Sequence, residues 1–82
     1  MATPLSIMGI LVEERAEVAP EAQEIITKYG SEILCRMGIP GPQKENGLIT
    51  LVVESELEDL MKFRRELEEI PGLTVQTLSF PQ

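Results

Sequence analysis

The chain has 82 residues, 14 of them acidic and 7 basic; it contains no His, no Trp and one Cys, and its formal net charge is −7. That length supports one small core. The counts exclude a disulfide scaffold, an imidazole-based metal or catalytic centre, and a surface built to grip nucleic-acid phosphates.

The opening Met1-Ala2-Thr3-Pro4 has no charged n-region, so no signal peptide is expected. No apolar run nears the roughly 20 residues that span a bilayer. The expectation is a cytoplasmic chain without membrane contact. Residues 5–12 (Leu-Ser-Ile-Met-Gly-Ile-Leu-Val) are apolar at odd and even positions and end at Glu13-Glu14, which predicts a strand buried on both faces. Residues 13–18 read as an acidic turn. A helix is expected over 19–29: Pro20 suits its first turn, Ala22, Ile25, Ile26 and Tyr29 form one stripe, and Gly30 supplies a C-terminal cap.

Residues 32–39 alternate, with Ile33, Cys35, Met37 and Ile39 on one face and Leu34, Arg36 and Gly38 on the other. This pattern predicts an edge strand. Pro40-Gly41-Pro42 ends it, and Asn46-Gly47 is the strongest turn dipeptide of the chain. Residues 48–54 (Leu-Ile-Thr-Leu-Val-Val-Glu) predict a central strand. Ser55-Glu56-Leu57-Glu58 matches a capping box opening a second helix with Leu57, Leu60, Met61, Phe63 and Leu67 on its inner side. Arg64 falls within that stripe, its stem along the sheet and its head in solvent. Glu58–Lys62, Arg64–Glu68 and Arg65–Glu69 are i,i+4 pairs. Lys62, Arg64 and Arg65 lie among acids and read as a solvated face. Pro71-Gly72 breaks the helix, and residues 73–79 alternate as a last strand.

The order strand, helix, strand, strand, helix, strand is that of a ferredoxin-like α+β sandwich, βαββαβ. We therefore expect residues 1–82 to form a single domain with two helices on one face of a four-stranded sheet. Right-handed crossovers are expected to set the first and third strands side by side and parallel. Both of these strands carry large apolar residues on each face, yet two helices cover one face only. The uncovered side predicts a homo-oligomer, a two-fold dimer or a tetramer of dimers, rather than a monomer shielded by its short tail.

Cys35, with no His as base and no second thiol, reads as a small core hydrophobe. No metal site is expected: Glu13, Glu14 and Glu17 lack the spacing of a calcium loop. Tyr29 reads as core. Arg36 stands out among apolar and small neighbours, with Gly38 leaving room for close approach. There it pairs with an acid across an interface or holds a carboxylate or phosphate.

Arg36-Met37-Gly38-Ile39-Pro40, then Gly47-Leu48-Ile49-Thr50-Leu51-Val52-Val53 and Ile70-Pro71-Gly72-Leu73-Thr74-Val75, resemble small proteins proposed to regulate the iron-only hydrogenase system. Ile10-Leu11-Val12-Glu13 and the helix closing on Tyr29-Gly30 match too, so the resemblance covers nearly the whole chain. It implies an ACT-like, ferredoxin-type fold that oligomerises, and structural kinship with the C-terminal domain of the nickel-responsive repressor. Residues 13–18 lack the glycine that amino-acid-binding ACT domains usually carry after the first strand. With no His, the repressor's metal site does not carry over, nor does its DNA binding.

The resulting expectation is a non-catalytic, cytoplasmic, homo-oligomeric regulatory or ligand-sensing domain with no cofactor, no metal and no direct contact to nucleic acid. A small-molecule effector would sit at a subunit interface near Arg36, Met37, Gly38, Ile39 and Pro40, with Glu13 and Arg15 from the turn. The alternatives are a small dimeric α+β barrel enzyme, for which only Tyr29 and carboxylates offer acid–base groups, and a purely structural assembly module.

Overall fold

A computed structural model describes residues 3–13, 15–40 and 47–80, with 15–19, 39 and 40 described by their backbone alone. The elements are β1 (Leu5–Val12), α1 (Arg15–Lys28), a 3₁₀ turn (Gly30–Glu32), β2 (Ile33–Pro40), β3 (Gly47–Glu54), α2 (Leu57–Glu68) and β4 (Leu73–Phe80). Together they form the ferredoxin-like βαββαβ sandwich. The sheet has four strands in the order β2-β3-β1-β4, so β1 and β3 are central as expected.

The expected parallel pairing of the first and third strands is wrong. β1 and β3 are antiparallel, Leu5 opposite Glu54 and Val12 opposite Gly47, as are β1–β4 and β2–β3. Each helical crossover does return its strand parallel to the one before, but one place further along. β3 fills the gap between β1 and β2 after reversing direction from β2, so every neighbouring pair runs antiparallel.

Helix and sheet meet along the inward side of each strand. Met8, Ile10 and Val12 from β1, Leu51 and Val53 from β3 and Val75 from β4 enclose a core with Ala22 and Ile26 of α1 and Leu60, Phe63 and Leu67 of α2. Within this side Ser6 is buried too, its hydroxyl bonded to that of Ser79 at 2.8 Å. A buried hydroxyl without a partner would cost free energy; pairing two across β1 and β4 removes that cost.

Several boundaries differ from expectation for identifiable reasons. Helix α1 starts at Arg15 and runs through Pro20, because proline's fixed φ is helical and the missing N–H forfeits one backbone bond. Gly30 does not cap α1 in a left-handed conformation; the chain tightens into the 3₁₀ turn, with the Glu32 N–H donating to the Tyr29 carbonyl at 3.0 Å. The capping box does not form. Glu56 is the N-cap of α2, its carbonyl accepting from the Leu60 N–H. Ser55 is held back by its N–H to the Pro4 carbonyl, while its hydroxyl donates to the Glu56 carbonyl. Gly72, with φ 90°, makes the positive-φ turn into β4. Leu57 and Met61, expected on the inner side of α2, are exposed. Of the three expected i,i+4 pairs Arg64–Glu68 forms, at 3.3 Å, and the Arg64 head also reaches Thr77 on β4 at 3.1 Å. The turns at Pro40-Gly41-Pro42 and Asn46-Gly47 lie outside the described residues.

The outward side of the sheet is bare. Register places Cys35, Val52, Ile7 and Leu78 in one row across it, Met37, Thr50, Gly9 and Gln76 in the next, and Ile39, Leu48, Leu11 and Thr74 in a third. These twelve positions include no charged residue; the end row, Glu54, Leu5 and Phe80, brings one acid. Ile7, Leu11, Leu48, Met37, Leu78 and Phe80 are all exposed. Gly9, near the centre, has no atom within 4 Å of where a Cβ would stand, so the middle of the face is hollow. Among the described residues, no helix is long and apolar enough to cross a membrane.

Candidate functional site

The strand carrying most of the candidate residues is irregular at its start. Ile33 pairs with Val53, but Cys35 pairs with Val52; Leu34 is the extra residue of a β-bulge. Such a bulge shifts the side-chain alternation by one. Ile33 therefore faces the helices and joins the core, whereas Cys35 and Met37 lie on the bare face. The expected sharing of one face by Ile33, Cys35 and Met37 is corrected accordingly. So is the reading of Cys35 as core, because the thiol is exposed.

The same shift aims Arg36, opposite Leu51, toward the helices. Its Nη2 donates to Oε1 of Gln23 on α1 at 2.6 Å. Beside it, between the end of α1 and the bulge, lies an open pocket of about 350 Å³ lined by Ile26, Thr27, Gly30, Ile33, Leu34, Cys35 and Arg36. No carboxylate lies within 4.0 Å of Arg36 among the described residues.

The candidate residues do not form a single cluster. Met37, 63% exposed, faces away from Arg36. A Cβ on Gly38 would stand 4.0 Å from the Leu48 carbonyl oxygen, so no backbone approaches closely there. Ile39 and Pro40 continue β2 opposite Leu48 and Gly47. Since Gly47 also faces Val12, Pro40 and Glu13 lie at the same end of the sheet, with β3 between their strands. Glu13 is exposed, and its N–H donates to the Gly72 carbonyl at 2.9 Å. Arg15 begins α1; its side chain lies outside the described residues. Arg36 is four residues before Pro40, roughly 13 Å along the strand.

A second constellation went unnoticed in the sequence. Tyr29 stacks on Phe63 with ring centroids 4.4 Å apart, and its hydroxyl donates to Glu66, whose other oxygen accepts from Lys28 at 2.6 Å. Tyr29 and Phe63 were each legible as inward-facing. The link to Glu66 was not, because it joins residues 37 apart. The hydrogen bond to Glu66, together with burial, pushes the Tyr29 phenol up to about 12. Lys28, and after it the Tyr29 hydroxyl, holds Glu66 below the usual carboxylate range. A phenol so committed exchanges no proton near neutrality; the group fastens α1 to α2.

Among the described residues no three His, Cys, Asp or Glu side chains are placed to hold a metal ion; Glu14 and the Glu17 side chain lie outside them. One carboxylate oxygen, Oε2 of Glu32, is buried without a hydrogen-bond partner among the described residues.

Residues 4–77 match the family model TM1266-like, proposed regulators of the iron-only hydrogenase system. No curated protein matches the chain. Among solved structures, the uncharacterised protein TM1266 from Thermotoga maritima superposes with a TM-score of 0.88 at 25% identity, covering 94% of this chain and 96% of that one. The ACT domain of the GTP pyrophosphokinase of Chlorobium tepidum gives 0.66 at 18% identity, covering 94% and 88%. CPII from Thiomonas intermedia K12, bound to ADP, AMP and acetate, gives 0.53 at 13% identity, covering 100% and 93%.

Proposed function

The chain belongs to the TM1266-like family of proposed iron-only hydrogenase system regulators, and from that premise we propose that residues 1–82 act as a single ACT-like, non-catalytic, cytoplasmic domain that senses a small molecule as a homo-oligomer. The observation that carries this reading is the bare outer face of the sheet, whose three inner rows carry no charged residue. A second copy, in a dimer or in a tetramer of dimers, covers Ile7, Leu11, Leu48 and Leu78, and apolar surface of that extent usually marks an interface. A regulatory family, a fold shared with an ACT domain and with a PII-like protein that holds ADP, AMP and acetate, and Tyr29 engaged between helices all favour sensing over catalysis.

The effector site we propose lies along β2 from Arg36 to Pro40 in two separate parts: Arg36 on the helix side, and Pro40 at the end of the sheet, where Glu13 and Arg15 contribute. A thermal-shift panel of amino acids, adenine nucleotides, short carboxylates and divalent cations tests the reading. A ligand at a hundred times its dissociation constant adds about 2.7 kcal/mol of stability, so a selective rise in melting temperature supports sensing. A flat response across the panel favours a purely structural assembly module instead.

A further inference from the structure

The cavity behind the bulge has a composition that specifies a ligand more narrowly than its location does. Its walls are aliphatic where Ile26, Ile33 and Leu34 stand. The polar residues of its lining are Thr27, Gly30 through its backbone, and Arg36. The lining thus holds one full positive charge and no negative one. Glu32, next to it in sequence, is not part of the lining, and its charge bears on the Tyr29 phenol.

Three features show that Arg36 is available. Its observed partner is the neutral amide of Gln23, which a charged acceptor displaces readily because charge-assisted hydrogen bonds to guanidinium are the stronger ones. Among the described residues no acid lies within ion-pair distance, although acids outnumber bases 14 to 7 in the chain. And the bulge at Leu34 turns Arg36 toward the cavity side of the sheet; bulges are over-represented where a side chain has to be re-aimed. Leu34 itself, 59% exposed, offers a large apolar surface at the mouth.

We propose that this cavity binds a small aliphatic monocarboxylate, its carboxylate paired with Arg36 and its hydrocarbon body against Ile26, Ile33 and Leu34. The volume of about 350 Å³ falls at the lower end of ligand pockets, roughly 300–1,000 Å³. A single cation suits a single negative charge. A zwitterionic amino acid would bring an ammonium for which the lining has no counter-charge, and a nucleotide would bring several charges into a protein of net charge −7. The proposal rests on the sensing reading above and names the ligand class for its Arg36 end.

The test is an amide NMR titration of the full chain with 4-methylpentanoate, with its neutral amide and with leucine as comparators. The carboxylate is expected to shift the resonances of Ile26, Thr27, Gly30 and Leu34 saturably, the comparators at least tenfold more weakly. Arg36→Gln, a change at an exposed side chain that leaves the fold intact, is expected to weaken the carboxylate at least tenfold, and Leu34→Ala to weaken 4-methylpentanoate more than acetate. Absence of saturable shifts, or equal affinity in Arg36→Gln, overturns the proposal. If the carboxylate gives no saturable shift while another compound of the thermal-shift panel binds elsewhere, the pocket falls and sensing stands. If the carboxylate binds here but leaves the assembly state unchanged in sedimentation, the pocket stands and sensing falls.

Discussion

Ile7→Glu places a carboxylate in the middle of the bare sheet face, between Val52 on β3 and Leu78 on β4. Within one chain the change touches no core residue, since Ile7 points outward and is 37% exposed. Its effect on folding should therefore stay within about 0.5 kcal/mol, the usual range for surface substitutions. Its effect on association should be large. The outward apolar side chains range from 37% exposed at Ile7 to 63% at Met37, and the six largest together amount to roughly three fully exposed side chains. At about 1.5–3 kcal/mol for each, covering them is worth roughly 5–9 kcal/mol per copy, before the cost of association. A two-fold pair buries the substitution twice. Taking an ion out of water costs several kcal/mol even after relaxation, and glutamate is too short to reach the rim as lysine would. Two such ions raise the dissociation constant by more than about 10⁴. Sedimentation velocity across the micromolar range should show the wild type as a multiple of 9.1 kDa and Ile7→Glu as single chains with an unchanged circular dichroism spectrum. Ser31→Glu, with the same added charge in the exposed 3₁₀ turn, should behave as wild type. Wild-type chains sedimenting singly while cooperatively folded, or Ile7→Glu assembling as tightly as wild type, would refute the reasoning.

Four further outcomes test the fold. Tyr29 titrates near 12 in the folded chain and near 10 unfolded, so its contribution is complete below pH 10 and fades as pH rises toward 12. Thermal melts of wild type and Tyr29→Phe should converge over that window, and parallel curves would remove the Tyr29–Glu66 bond from the account. Glu66 is held below the ordinary carboxylate range, so its contribution is present above that range and is lost as pH falls through it; Glu66→Gln should flatten the acid limb of the stability curve. Phe63→Ala, at a fully buried site stacked on Tyr29, should cost about 3–5 kcal/mol in urea unfolding, whereas Met61→Ala, at a position 49% exposed, should cost under about 0.5 kcal/mol. Gly72→Ala should cost about 1–2 kcal/mol by the same measurement, because φ at 90° is strained for any residue with a Cβ; a neutral result would show that the turn readjusts.

The element order was legible because strand alternation, the stripe of α1 and the Pro-Gly breaks each act over a few residues. What the sequence concealed depends on contacts distant along the chain. The direction of β3 relative to β1 follows from which strand fills the gap left by a crossover, and no local pattern encodes it. The bulge at Leu34 leaves no mark, because an apolar residue is equally plausible on either face. Missing it put Cys35 in the core and turned Arg36 the wrong way. Ser55 and Glu58 satisfy a capping box by type, but the Ser55 N–H is already bonded to the Pro4 carbonyl, which moves the helix start by one residue. Arg36 was legible as an unusual residue because it is a base among apolar neighbours. The pocket beside it was not, since Ile26 and Thr27 at the end of α1 supply part of the wall.

The clamp between the helices also gives the protein a built-in optical reporter. With one tyrosine and no tryptophan in the chain, excitation on the long-wavelength side of phenylalanine absorption addresses a single ring, and that ring sits where α1 meets α2. A phenol bound to a carboxylate emits weakly, so the signal brightens when the two helices part. Unlabelled protein can thus be followed in a fluorimeter, and a change confined to that seam distinguished from loss of the sheet, which circular dichroism reports separately.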